Sequence, residues 1–190
     1  MEYLEEWKVA LMSIADRSSF TKESEHMDQQ SAPAERPSAL DMMVPEFSAP
    51  MTGGRDFQLS DYKGKKIVLY FYPKDNTPGC TTEGMQFRDL YEQFRAADAE
   101  IIGVSRDSLR SHDGFKSKLG LPFELISDPD ETVCIMFDVM KMKNMYGKKV
   151  RGVERSTFII DGSGKLVKEW RGVKVPGHID EVLDFVKALA

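Results

Sequence analysis

The chain of 190 residues has a formal net charge of −5 and is 41% hydrophobic and 30% charged. This fits one globular domain with a proper core; no apolar run approaches the ~20 residues of a membrane-spanning helix, and the acidic balance gives no general pull toward nucleic acid. With only two cysteines, Cys80 and Cys134, a disulfide-stapled secreted scaffold is excluded and one reactive thiol in a reducing compartment is favoured.

The N-terminus, Met-Glu-Tyr-Leu-Glu-Glu, is acidic where a secretory leader is basic, and it lacks the Arg-rich character of an organelle transit peptide, so a cytoplasmic location is expected. Residues 1–42 read as an extension. Its first forty residues hold eight acidic and four basic side chains. Leu4, Trp7, Leu11 and Ile14 repeat at helical spacing, which predicts a short amphipathic helix over residues 3–15. That helix docks on the domain, binds a partner or is marginal by itself. Residues 17–39, rich in Ser, Gln, Glu and Pro, read as a loose linker.

A compact domain is expected over residues 43–190. Lys66 to Tyr72 form an apolar run stopped by Pro73, the pattern of a parallel strand buried on both faces. A helix is predicted over residues 82–97, with Met85, Leu90, Tyr91 and Phe94 on one side. Glu100 to Ser105 reads as a second buried strand. Residues 108–119 read as a helix stopped by Gly120 and Pro122, and residues 131–139 as a short helix. Ser156 to Ile160 and Lys165 to Trp170 are strands joined by Asp161-Gly-Ser-Gly164, a hairpin signal. Ile179, Val182, Leu183, Val186 and Leu189 mark a last helix. The order implies an α/β fold, with a central mixed β-sheet flanked by helices and right-handed crossovers.

In such a sheet, ligands bind beyond the carboxyl ends of the strands. The segment that leaves the first buried strand is Pro73-Lys-Asp-Asn-Thr77-Pro-Gly79-Cys80-Thr-Thr-Glu83. It places Cys80 where a helix begins, and free N–H groups and the helix dipole there favour a thiolate over a thiol. A thiolate attacks a peroxide oxygen and becomes a sulfenic acid. The N–H groups of Gly79 and Cys80 offer an anion hole, and Thr77 has a hydroxyl within reach of the sulfur or the peroxide. Pro78 has no N–H to offer; with Pro73 it stiffens the loop and shields the sulfur.

The pattern Pro73-x-x-x-Thr77-x-x-Cys80 resembles that of the peroxiredoxins, most closely the bacterioferritin comigratory protein (PrxQ-type) subfamily. The shared stretches run from Leu69 through Glu83, Phe87 to Leu90, Gly103 to Asp107 and Glu154 to Asp161. The resemblance implies a thioredoxin-like fold, peroxidase activity without metal or organic cofactor, and Cys80 as the peroxidatic cysteine. It further implies that Arg155 is the active-site arginine and that Glu83 orients it. Many members of the subfamily carry a resolving cysteine five residues after the peroxidatic one, where this chain has Met85, and others carry it in the next helix, where this chain has none. A one-cysteine cycle is therefore expected, with thioredoxin, glutaredoxin and glutathione, or a small thiol as reductant, acting on a monomer or weak homodimer.

Cys134, flanked by Val133, Ile135, Met136 and Phe137, reads as a small buried hydrophobe, with a resolving role as the alternative. His26, His112 and His178 lack ligand spacing, so no metal site is indicated. Lys141, Lys143, Lys148, Lys149 and Arg151 read as a solvated basic loop. The competing functions are a dithiol oxidoreductase, which Glu83 in place of a second Cys-x-x-Cys cysteine argues against, and a binding or holdase module with Cys80 as a redox sensor.

Overall fold

The computed structural model describes Trp7, residues 40–145 and residues 147–189. The expected strand and helix order is present, with additions where the sequence pattern was weak. An N-terminal hairpin, β1 (Ser48–Met51) and β2 (Arg55–Gln58), precedes a 3₁₀ turn at Leu59–Tyr62. Then follow β3 (Lys66–Phe71), α1 (Pro78–Ala96), β4 (Ala99–Ser105), α2 (Leu109–Leu119) and β5 (Glu124–Ser127). The chain continues through α3 (Thr132–Met136), β6 (Met140–Met145), β7 (Lys148–Val153), β8 (Ser156–Ile160), β9 (Leu166–Trp170) and α4 (His178–Ala188).

Seven strands form one sheet in the order β2-β1-β5-β4-β3-β8-β9. The pairs β3–β4 and β4–β5 are parallel, and β8 runs antiparallel to β3. The alternation of a strand divides the core in two. Ile67, Leu69 and Phe71 face one cluster, whereas Val68, Tyr70 and Tyr72 face the other. The second cluster is closed by Phe87, Tyr91 and Phe94 of α1, Phe115 and Leu119 of α2, and Ile179, Val182 and Val186 of α4. Gly103 lies inside this layer because a Cβ there would sit 2.7 Å from Leu125 and 2.8 Å from the Tyr70 ring.

The first cluster is closed by the N-terminal hairpin and by α3, and Trp7 completes it. Trp7 is fully buried, with its ring edge-on to Phe137 at 6.2 Å between centroids. Leu4, Leu11, Ile14 and the linker over residues 17–39 lie outside the described residues.

The basic run is a correction. In place of a solvated loop, β6 and β7 pair as a separate two-stranded antiparallel ribbon, with Lys143 opposite Val150. The pairing joins backbone groups along the facing edges of the two strands, and β7 is exposed from Lys148 to Arg151. Of the ribbon's methionines, Met142 is exposed, while Met140 packs against the first cluster.

Candidate active site

Cys80 occupies the third position of α1, because the helix begins at Pro78, four residues before the start expected from the sequence pattern. Proline is suited to a first helical position, where its missing N–H costs nothing. Thr77 is the N-cap residue in extended backbone conformation, and its side chain makes no capping bond. Its hydroxyl donates instead to the Lys74 carbonyl at 3.0 Å, while its own carbonyl accepts the first helical bond from the Thr81 N–H at 2.9 Å. Thr77 thus tightens the loop on which the helix opens. Pro73 is half-buried at the exit of β3.

Arg155 reaches this helix from 75 positions along the chain. The antiparallel pairing of β8 with β3 sets Ser156 opposite Phe71, so Arg155 stands beside the point where β3 releases the loop toward Cys80. Its Nη2 donates to Cys80 Sγ at 3.3 Å, and its Nη1 pairs with Glu83 Oε2. Gly79 makes room for this, since a Cβ at that position would lie 3.3 Å from Nη2. The Cys80 side is nearly sealed, at 2% exposure, against Tyr70 and Tyr72.

Glu83, one turn after Cys80, is fully buried; its Oε1 has no partner. Burial pushes its carboxyl up to about 7 although the Arg155 charge pulls the other way. Arg155 is itself held more firmly protonated by Glu83 and Cys80, which outweigh the cost of its own burial.

Three further groups belong to this neighbourhood. Lys143 of the β6–β7 ribbon is half-buried and donates to the Val153 carbonyl at 2.6 Å, two residues before Arg155. Burial lowers its pKa, and Arg155 lowers it further while Glu154 and Cys80 oppose the shift. His178 is buried with Nε2 2.8 Å from Thr157 Oγ1, and burial brings its pKa down to about 4. His112 is fully buried and hydrogen-bonded to Asp75 of the loop, at 2.9 Å from Nδ1 to Oδ2. The sequence held a signal for His112, which falls on the same stripe of α2 as Phe115 and Leu119. Among the described residues, no group of three or more His, Cys, Asp or Glu side chains is placed to hold a metal ion.

Cys134 lies in the other half of the core, packed with the Leu69 and Phe71 side of the sheet. It is fully buried, and burial together with Asp128 drives its pKa far up, as expected of an inert thiol.

A sulfur gripped by a guanidinium at the mouth of a helix is arranged for chemistry rather than for packing, and on a mixed sheet of this order it marks a thiol-dependent redox protein of thioredoxin-like fold. The AhpC/TSA family model matches residues 40–169, and the chain belongs to that family. More narrowly, it is 52% identical over 153 residues to peroxiredoxin Bcp of Xanthomonas campestris pv. campestris, covering 80% of this chain and 96% of the relative. It is also 52% identical to peroxiredoxin Bcp of Bacillus subtilis, over 77% of this chain and 94% of that one.

Solved structures agree. A Xanthomonas campestris bacterioferritin comigratory protein, described for its alkyl peroxide reduction activity, superposes with a TM-score of 0.72 at 52% identity, covering 75% of this chain and 90% of that chain. A cysteine-to-serine mutant of Xylella fastidiosa PrxQ gives a TM-score of 0.72 at 45% identity, covering 87% and 98%.

Proposed function

We propose that this chain is a thiol-dependent peroxidase in which Cys80 reduces hydrogen peroxide and organic hydroperoxides. The observation that carries the reading is the 3.3 Å contact between the Arg155 guanidinium and Cys80 Sγ in the first turn of α1. The Cys80 thiolate attacks one oxygen of the peroxide, the O–O bond breaks, and the other oxygen leaves with the electron pair and takes up a proton as water or an alcohol. Cys80 is left as a sulfenic acid. Negative charge moves from sulfur to the departing oxygen, so the donors needed are those that surround both: the Arg155 guanidinium and the N–H groups of Gly79 and Cys80. Glu83 holds the guanidinium in place, and Thr77 and Pro73 keep the loop in shape.

Regeneration follows a one-cysteine cycle. Met85 stands five residues after Cys80, α2 contains no cysteine, and Cys134 packs on the opposite side of the sheet. An external thiol attacks the sulfenic acid, forming a mixed disulfide and releasing water, and a second thiol then frees Cys80. Thioredoxin, or glutaredoxin with glutathione, suits this step in a cytoplasmic monomer or weak homodimer, with residues 43–190 as the catalytic domain and residues 1–42 as an added segment.

Peroxide consumption with a thiol reductant tests the reading, with wild type set against Cys80→Ser. Turnover is expected to vanish in the variant, and equal turnover overturns the proposal. Mass spectrometry of peroxide-treated protein tests the cycle. The expected product is a sulfenic acid or mixed disulfide on Cys80, whereas a reducible Cys80–Cys134 disulfide refutes it.

A further inference from the structure

The loop that carries Cys80 is fastened at one buried point. Asp75, five residues before Cys80, is buried, and both of its carboxylate oxygens are occupied. Oδ1 accepts from the Tyr72 hydroxyl at 2.8 Å and Oδ2 from the Ser111 hydroxyl at 2.8 Å. Nδ1 of His112 lies 2.9 and 3.1 Å from the same two oxygens, and Nε2 meets the Ile126 carbonyl of β5 at 3.1 Å. The backbone N–H of Asp75 donates to Asp107 Oδ2 at 2.9 Å, an oxygen that also accepts from Ser105 Oγ at 2.7 Å. One loop residue is therefore tied to the residue that follows β3, to α2, to the turn that follows β4 and, through the imidazole, to β5. These donors hold the Asp75 carboxyl below its ordinary range in spite of burial.

The chemistry places two opposed demands on this loop. Attack on a peroxide needs Sγ fixed against Arg155. Reduction needs the oxidised sulfur to meet an external thiol, yet Cys80 is only 2% exposed. A peroxide is small enough to enter a closed site, but the active-site loop of a protein dithiol is not. The segment from Pro73 to Cys80 must therefore loosen once per cycle.

Building on the peroxidase reading, we infer that Asp75 and His112 form a latch: as positioning residues they hold the Cys80 loop closed for peroxide attack, and their release sets how readily an external protein thiol reaches the oxidised sulfur. A latch of this kind shifts the closed–open balance and so moves the two half-reactions in opposite directions. Losing a charge-assisted hydrogen bond is worth about a tenfold change or more in that balance.

The test uses the full chain and follows the two half-reactions separately by mass-resolved rapid quench. Removing one partner alone strands the other in the core, so Asp75→Ala and His112→Leu are compared with the double variant, which removes both polar groups together. The double variant still takes a partner from the Tyr72 and Ser111 hydroxyls and the Ile126 carbonyl, so its unfolding midpoint is expected to fall, but by less than the two single variants together. Oxidation of Cys80 by hydrogen peroxide is expected to fall about tenfold, and reduction of the sulfenic acid by thioredoxin to rise about tenfold. Reduction by dithiothreitol, a small thiol, is expected to gain less.

Two results overturn the latch: both rates within about twofold of wild type in the double variant, or both falling together, as general damage would make them. Failure of the enzyme reading looks different, because wild-type Cys80 would then not be oxidised by peroxide at all.

Discussion

Glu83→Gln tests the buried carboxyl behind Arg155. In the folded protein this carboxyl titrates near 7 because burial disfavours its charge, against an ordinary value of 4.5. Between those values the folded protein keeps a proton that the unfolded chain has given up. Stability of the wild type must therefore fall as pH rises through this window and level off above it. At about 1.4 kcal/mol per pH unit, the loss between about pH 5 and about pH 8 comes to roughly 2–3 kcal/mol. Glutamine keeps an oxygen for the Arg155 Nη1–H and has no proton to lose. Arg155 titrates far above this range and does not intrude.

His178, whose pKa is lowered to about 4, contributes with the opposite sign, since its stabilising neutral form is lost as pH falls. It contributes equally to both proteins and drops out of their difference. The assay is urea unfolding of wild type and Glu83→Gln across the pH range. The stability of wild type relative to the variant is expected to decline by the stated amount from acid to mildly alkaline pH. Parallel curves would refute the argument, for they would mean that Glu83 ionises no less readily inside the protein than outside it.

Arg155→Ala, assayed by the single-turnover rate of Cys80 oxidation, is expected to lose about 10²-fold or more, the usual cost of one preorganised donor; an unchanged rate removes Arg155 from the mechanism. Cys134→Ala should leave turnover intact while costing about 1 kcal/mol in urea unfolding for the small cavity left in the core; a large loss of turnover would contradict the separation of the two thiols. Trp7→Ala should cost about 3–5 kcal/mol, since it empties a large site beside Phe137. A change under about 0.5 kcal/mol would show that this ring adds nothing to the core in solution.

Much of this was readable from residue order, and the exceptions share a physical cause. β3 announced itself because a strand buried on both faces needs an unbroken apolar run. The cysteine loop was legible because Pro78, Gly79 and Cys80 are neighbours in sequence and the helix start is a local signal. Arg155 was not legible from spacing, since only the register of β8 on β3 brings it to the sulfur; the family resemblance supplied it. The β1–β2 hairpin and β5 are strands of four residues each, too short to show a period. The β6–β7 ribbon was missed because β7 is exposed from Lys148 to Arg151 and so carries no alternation of apolar and polar residues. His112 was set aside as a stray histidine. Its partner Asp75 lies 37 residues away, and no pattern of side chains reveals a hydrogen bond across two elements.

The sheet stands between the two sulfurs as an insulating wall. If the one-cysteine cycle proposed above holds, an oxygen accepted by Cys80 cannot be discharged by Cys134 across that wall, and the oxidising equivalent stays until another molecule collects it. The waiting time is then a property of the surroundings, set by the supply of reduced thiol. When that supply runs short, a second peroxide can carry the same sulfur to the sulfinic state, so such a protein would record oxidant load against reducing capacity.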